Sequence, residues 1–256
     1  MAETHLQRDQ PPGVPPLELT GERTLPDVPD ENYWFRRHLV VYEWIAERVH
    51  GLRVIDMACG EGYGADLLAV QAASVVGVDA NPEAHEHARL RYARPNLSFE
   101  RDLIETFAAP ADAVVCLQTV EHLADPDALL AHFRALALPH GCVYLSTPNL
   151  LTLAPPGAER SGNPWHVHEY RAAEFAALCE RHFSRVRLLG LYHARKLRLH
   201  ELALRAGWDH VHRLLRLTRP FYDRFTPAIS SADFQLRGGP PADLHGALDF
   251  LAVCRP

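Results

Sequence analysis

The sequence predicts an α/β fold: a seven-stranded, mostly parallel sheet with helices on both faces. Three observations lead to this prediction. Short apolar runs with strand character recur along the chain, segments of helical periodicity separate most of them, and a glycine-rich turn follows the first run at residues 58–64. Strands joined by helices of this length pair in parallel through right-handed crossovers. The 256 residues are 47% hydrophobic and 23% charged, which fits one domain with a substantial core.

The first thirty residues are rich in proline and charge, and they predict a flexible arm over residues 1–30 before a domain at 31–256. They lack the basic-then-apolar character of a signal peptide, and no apolar run approaches the roughly 18 residues of a membrane span. The five cysteines are scattered and are interpreted as small buried hydrophobic side chains, not as disulfides or a zinc set. We therefore expect a reducing, cytoplasmic setting.

The elements of the domain follow in order along the chain. A helical pattern covers residues 31–49, and Asn81 caps a helix that has a proline in its first turn. The loop at 150–168 is long enough to be functional, and the arginine-rich region at 192–244 is a helical insertion where specificity could reside. The predicted strands are 52–57, 74–78, 97–101, 111–117, 142–146, 186–191 and 247–254, and the other predicted helices begin near 63, 82, 127 and 171.

The turn after the first strand is the main functional signal. Gly60 and Gly62 let the backbone turn sharply and let a ligand approach the main chain closely, and Asp79, about twenty residues on, can bind ribose hydroxyls. The spacing Gly60-x-Gly62-x-x-Ala65 also fits a dinucleotide fingerprint, which would indicate a nicotinamide-dependent oxidoreductase. Asp56 argues against this, because a carboxylate repels a pyrophosphate and suits a ligand with ammonium and sulfonium groups, such as S-adenosylmethionine.

This stretch resembles motif I of the class I S-adenosylmethionine-dependent methyltransferases, with Asp56, Gly60 and Gly62 in matching positions. Ala58 stands where many members have a glycine. The resemblance covers roughly residues 33–191 and the last strand, and it implies a Rossmann-like fold with S-adenosylmethionine as cofactor. A methyltransferase-like binding module without catalysis is the remaining alternative.

The resemblance also assigns other residues to the cofactor. Asp102, after the third strand, lies where an acidic side chain takes the adenine amino group, although capping the next turn is an equal alternative. The aromatic-arginine segment at 31–38 resembles one in which an arginine meets the methionine carboxylate. Arg36 and Arg37 are the candidates, and we assign Arg37. Gln118, after the fourth strand, is assigned to the cofactor site as well.

Catalytic candidates follow the fourth strand, since open parallel sheets bind ligands beyond their strand C-termini. Glu121 and His122 come there, and a histidine suits the task of removing a hydroxyl proton, although it could simply cap the loop. The stretch resembles a glutamate–x–x–glutamate–histidine segment of ubiquinone-pathway O-methyltransferases, where a magnesium ion may bind. Gln118 replaces the first glutamate here, so we predict no metal.

The segment at 163–170 is the second candidate region. It resembles a histidine-to-tyrosine segment that folds over the acceptor pocket in methyltransferases acting on sugars and other small acceptors. His166 is a candidate second base or hydrogen-bond donor, or it ties the loop to the sheet. His166 and His168 together give only a weak indication of a metal, because the sequence has 16 histidines. Trp165 and Tyr170 either stack on a sugar face or pack.

Four short segments (19–24, 31–38, 163–170 and 231–234) resemble an actinobacterial subgroup that methylates glucose-containing oligosaccharides and polysaccharides, including the mycofactocin oligosaccharide methyltransferase. We therefore predict O-methylation of a sugar or oligosaccharide hydroxyl, with a quinone, phenolic or lipid-linked acceptor as the alternative.

Charge is uneven along the chain. The net charge is −6, yet residues 181–224 hold eleven basic and three acidic residues, a local charge of +8. This indicates a solvated helical face, an acidic or phosphorylated acceptor, or weak contact with an anionic membrane surface. A nucleic-acid partner is not expected, because no binding motif is present and the chain is acidic overall.

Overall fold

The computed structural model describes residues 4–5, 7, 10–19, 23–155 and 157–256. The strands are β1 (Thr4–His5), β2 (Leu17–Glu18), β3 (Arg53–Met57), β4 (Ser74–Val78), β5 (Leu97–Glu100), β6 (Ala111–Leu117), β7 (Ala137–Pro148), β8 (Arg185–His193), β9 (Phe234–Gly238) and β10 (Asp249–Arg255). The helices are α1 (Asn32–Ala46), α2 (Tyr63–Ala69), α3 (Pro82–Arg91), α4 (Pro126–Leu136), α5 (Leu150–Leu153), α6 (Ala172–Glu180), α7 (Arg195–Arg205), α8 (Trp208–Leu214) and α9 (Thr218–Phe225).

The main sheet has eight strands in the order β5–β4–β3–β6–β7–β10–β8–β9. Pairing is parallel from β5 to β7 and antiparallel from β7 to β9. The predicted α/β class is confirmed, but the count of seven strands and the mostly parallel pairing are wrong. The missed strand is β9, a short edge strand inside the predicted insertion. It contains the polar residues Gln235 and Arg237 and so lacks the continuous apolar run that marked the other strands.

Helices cover both faces of this sheet, as predicted. Successive residues of β6 point to opposite faces, so Val114 packs with α4 and α6 while Val115 packs with α1 and α2. On one side Phe133 and Phe175 are fully buried, and on the other side Ile45 is. The chain order reverses between β3 and β6, and such a switch point places a crevice beyond the strand C-termini.

The last strand runs between β7 and β8, antiparallel to both. The predicted pairing of the last strand with the sixth predicted strand is therefore confirmed. Between β8 and β10, residues 195–225 form the three helices α7, α8 and α9, and β9 follows them. No helix among the described residues has the length and apolar character needed to cross a membrane.

The described part of the N-terminal segment packs against the domain, although the composition predicts a flexible arm. Leu17, Leu25 and Val28 form a small buried cluster of their own. The Pro15 carbonyl accepts a hydrogen bond from His87 on α3. The prediction missed this because the prolines hide the few apolar residues that anchor the segment. The run at 19–24 used for the subgroup resemblance lies partly outside the described residues.

Candidate functional site

A cavity of about 430 Å³ opens beyond the C-terminal ends of β3, β4 and β6, at the predicted crevice. Its walls come from the glycine turn, from α1, from the turn after β6 and from the N-terminal segment. The lining residues are Arg23, Thr24, His38, Tyr42, Ala58, Cys59, Gly60, Glu61, Tyr63, Asp79, Leu117, Gln118, Thr119, His122 and Trp165.

The glycine turn is shaped by two glycines and one alanine. Gly60 has φ 56° and lines the cavity, and Gly62 has φ 98° as the cap of α2. A Cβ on Gly62 would lie 2.8 Å from Ala88, so Gly62 serves packing against α3 and does not line the cavity. Ala58 also has a positive φ of 56°, a conformation that costs an L-residue roughly 1–2 kcal/mol. The resemblance to motif I therefore extends to the backbone geometry, although the residue is not glycine.

Asp79 lies where the sequence places it. One carboxylate oxygen accepts a hydrogen bond from the Gly60 N–H at 2.8 Å, and the other accepts one from the Asn81 N–H at 2.9 Å. The side chain lines the cavity. It therefore fixes the glycine turn, and its remaining lone pairs suit vicinal hydroxyls of a ribose.

Asp56 is fully buried beneath the cavity and is not among the described lining residues. The Tyr42 hydroxyl, which does line the cavity, donates to the Asp56 carboxylate at 3.2 Å. Burial, more than the nearby Asp79 charge, raises the pKa of Asp56 to about 8. Asp56 is therefore linked to the cavity through Tyr42, and its direct contact with a cofactor ammonium stays a prediction.

Two residues assigned to the cofactor have protein partners of their own in the structure. Arg37 is buried, and it donates to both carboxylate oxygens of Asp249 and to the Leu248 carbonyl. It therefore joins α1 to β10, and it is not among the described residues that line this cavity. Asp102 accepts from the Leu103 N–H and the Thr106 hydroxyl, which is the capping role named as its alternative. Sequence spacing could not separate these roles, because it does not show which partner each charge meets.

Among the described residues, Arg23 is the arginine that lines the cavity. It is a cation that could meet a carboxylate group there. Sequence reasoning also missed His38 and Tyr42, which line the cavity from α1. The signal was present, since Trp34, His38 and Tyr42 are spaced i, i+4 and i+8 and therefore share one face of the helix.

A second cavity of about 320 Å³ adjoins the first. Residues of both cavities include Thr24, His38, Gln118 and His122, so these four side chains form a shared wall. The other residues of the second cavity are Glu31, Trp34, Arg37, Glu121, Pro148, Leu153, Asn163 and His166. All three residues assigned to catalysis from the sequence therefore lie around this cavity.

His122 has a defined tautomer. Its Nδ1 lies 3.0 Å from the Trp165 carbonyl oxygen, which can only accept, so Nδ1 carries the hydrogen in the neutral ring. Nε2 then holds the lone pair. Gln118, which precedes this turn, has a φ of 52° and is bonded to Ser146 through both its backbone N–H and its side-chain amide. Non-glycine residues in this conformation occur at functional sites.

His166 points inward, and only 6% of its side chain is exposed. Its Nδ1 lies 3.0 Å from Glu169, and its ring centre lies 5.0 Å from that of His122. The loop is held by the Glu121 carbonyl, which accepts from the N–H groups of residues 167 and 168. Trp165 is 63% exposed at the cavity edge, whereas Tyr170 is buried against Phe175 and therefore packs.

Glu121, His122 and His166 also form a group that could hold a metal ion. Each offers one ligand atom, and these atoms lie within 4.8 Å of one another. The prediction of no metal rested on Gln118 and on the weak signal from His166 and His168, and it did not foresee that the fold brings His166 beside Glu121 and His122. A set of two imidazoles and one carboxylate is known at zinc sites. The prediction therefore needs a direct test.

Comparison with known proteins defines the family. A family model described as a methyltransferase domain matches residues 31–212. A probable S-adenosylmethionine-dependent methyltransferase of Mycobacterium tuberculosis (strain H37Rv) is 35% identical over 264 residues, which cover 97% of this chain and 95% of that protein. A ubiquinone biosynthesis O-methyltransferase of Albidiferax ferrireducens is 35% identical over 156 residues, 54% of this chain and 62% of that protein.

Solved structures share the fold. A methyltransferase from Thermotoga maritima has a TM-score of 0.57 at 14% identity and covers 88% of this chain and 93% of its own. One from Mesorhizobium loti has a TM-score of 0.54 at 17% identity, with coverages of 84% and 98%. The oxidoreductase and the non-catalytic module considered from the sequence are therefore wrong. The chain belongs to the class I methyltransferases and is an enzyme that uses S-adenosylmethionine.

Proposed function

We propose that this enzyme methylates a hydroxyl group of a sugar or oligosaccharide. One observation carries the proposal: His122 stands in the wall that the cofactor cavity shares with a second cavity. A base at this boundary can reach an acceptor on one side while the methyl group arrives from the other. Proximity of this kind supplies several kcal/mol of a methyl-transfer barrier.

The cofactor contributes an electrophilic methyl group bonded to a positively charged sulfur. With the cofactor bound, the acceptor oxygen would take this methyl group, the sulfur would keep the electron pair of the broken S–C bond, and Nε2 of His122 would accept the hydroxyl proton. His38 is the weaker candidate for this step, since burial lowers its pKa to about 4 and makes it a poor base at neutral pH. His166, held by Glu169, orients the acceptor.

In the cofactor cavity, we assign the ribose to Asp79 and the close approach of the main chain to Gly60. The methionine carboxylate meets Arg23. Gln118 stays an assignment to the cofactor, because it lines this cavity, and the adenine contact of Asp102 stays a prediction.

The lining of the second cavity supports a sugar. Glu31, Glu121 and Asn163 offer oxygen and amide groups that can bind several hydroxyls, and Trp34 presents an aromatic face, 42% exposed. Sugars have this dual character of hydroxyl edges and apolar ring faces. A phenolic acceptor is the second candidate, favoured by the ubiquinone biosynthesis O-methyltransferases that match about half of this chain.

The test is a mass-spectrometric screen of the purified enzyme with S-adenosylmethionine against glucose oligosaccharides and catechols. We expect a gain of one methyl group on an oligosaccharide. Methylation of the catechols alone would replace the sugar by the phenolic acceptor, and a methyl gain on neither class would contradict both.

A further inference from the structure

The exposed apolar side chains of the described chain are concentrated on the helical insertion. More than half of the large ones lie within residues 199–217, and Leu214 is 83% exposed. The members of this group, which we call the insertion surface, are Leu199, Leu202, Leu204, Trp208, Val211, Leu214, Leu215 and Leu217. Isolated exposed leucines are ordinary, but a concentration on two consecutive helices, α7 and α8, and on the connection to α9 marks an interaction surface.

The helices of the insertion also have packing of their own. An inner aromatic group lies between them, with His212 and Phe221 ring centres 4.6 Å apart and those of His200 and Phe225 4.7 Å apart. Trp208 joins this group through His212, with ring centres 4.3 Å apart. On α7, Leu197 is buried against the domain, while Leu199 and Leu202 point outward. The outward leucines therefore remain exposed on a framework that already has its own packing.

The insertion surface is also strongly basic. Residues 195–224 contain eight arginines and lysines against three acids. Each of the three acids is already paired with an arginine on its own helix, as in Glu201–Arg205 and Asp209–Arg213. Other arginines have no ion pair with any described residue, namely Arg195, Arg198, Arg216 and Arg224. The surplus charge thus faces outward beside the exposed leucines.

From this combination we infer that the insertion surface docks on an anionic lipid bilayer. Basic helices that present leucine and tryptophan lie in the plane of a membrane interface, where apolar side chains enter the acyl boundary and arginines meet lipid phosphates. The charge selects this occupant over a second copy of the chain, because two copies would bring surplus arginines of like charge together.

The insertion surface is joined to the acceptor side of the enzyme. The Asn32 side chain donates to the carbonyls of Thr226 and Ile229, directly after α9. Its neighbours Glu31 and Trp34 line the second cavity. Docking would therefore place the acceptor cavity beside the membrane. The inference about docking does not depend on which acceptor the enzyme uses.

The experiment is co-sedimentation of the full chain with vesicles of phosphatidylcholine, alone or mixed with phosphatidylglycerol. We expect binding to the mixed vesicles only, weakened by salt. R195Q, R198Q and R216Q should each lower the partition coefficient by roughly fivefold, the ratio that corresponds to one basic residue at an anionic surface. L214S and L215S should lower it as well.

Two matched variants serve as controls. V70S removes a side chain that is 54% exposed on another part of the molecule, and R134Q removes an exposed arginine of α4. Both should bind vesicles like the wild type. Equal losses in the controls, binding to neutral vesicles, or no binding would overturn the inference. So would a dimer in sedimentation velocity that L214S abolishes, since the occupant would then be a second copy. Methyl transfer to a soluble acceptor, measured in parallel, reports separately on the proposed function.

Discussion

The hydroxyl of Tyr42 donates to the buried carboxylate of Asp56, 3.2 Å away, directly under the cofactor cavity. Burial raises the pKa of this carboxyl group from its ordinary 3.8 to about 8. The folded chain therefore holds a proton on Asp56 at neutral pH, where the unfolded chain does not. The cavity that we assign to the cofactor thus lies above a group whose protonation is coupled to folding.

The first prediction concerns stability against pH. Because the folded-state pKa is the higher one, the stability that the proton provides is complete below about pH 4 and is lost as pH rises to about 8. Relative to D56N, the free energy of unfolding of the wild type should fall by about 1.4 kcal/mol per pH unit across this window and stay level above it. Urea unfolding of both proteins without cofactor measures it. Both proteins contain His38, whose titration changes the free energy of unfolding with pH in the opposite direction. The difference between the two proteins therefore does not include the contribution of His38. Parallel curves would mean that Asp56 is ionised in the fold.

The second prediction separates two arginines. R37M should lower the free energy of unfolding by about 3–5 kcal/mol, since it leaves the Asp249 carboxylate buried without its partner. R23M should instead weaken S-adenosylmethionine binding by about 1.5–3 kcal/mol, the range for a hydrogen bond to a charged group. Calorimetric titration and thermal unfolding of both variants give the two quantities. If R37M folds stably and loses the cofactor while R23M does not, the original assignment of Arg37 is right.

The third prediction is that methyl transfer survives chelation. Transfer of a proton to His122 requires no cation, and the Nδ1 atoms of His122 and His166 already have protein partners in Trp165 and Glu169. Activity should be equal before and after EDTA and dialysis. Loss of activity with recovery on adding zinc or magnesium would make Glu121, His122 and His166 metal ligands instead.

The fourth prediction concerns the loop after β7. H166A should lower kcat/KM for the acceptor, while the Kd for S-adenosylmethionine changes little, because His166 lines only the second cavity. H168A is the matched control, since His168 is a neighbour on the same loop outside the described lining of both cavities. Equal effects of the two variants would show that the loop has a structural role alone.

The sequence was sufficient for the parallel half of the sheet, because each buried strand there is a short apolar run bounded by a turn. β6 was predicted to the residue, and the glycine turn identified the cofactor edge. The interaction partners of the charged side chains could not be predicted from the sequence in the same way. Arg23 and Arg37 both precede the first strand of the main sheet, and only the fold shows that Arg23 lines the cavity and Arg37 meets Asp249. The pairing of His122 with His166 depends equally on a loop that returns over the sheet.

The most direct test of the account is methyl transfer by H122A. With an acceptor identified by the screen, initial rates under saturating S-adenosylmethionine are compared with those of the wild type, and cofactor affinity is measured separately. We predict a loss of about 10² to 10⁴ in kcat, the usual contribution of a general base, with the Kd for the cofactor unchanged. A variant that binds the cofactor and transfers the methyl group at the wild-type rate would contradict His122 as the base and remove the basis for placing the acceptor in the second cavity.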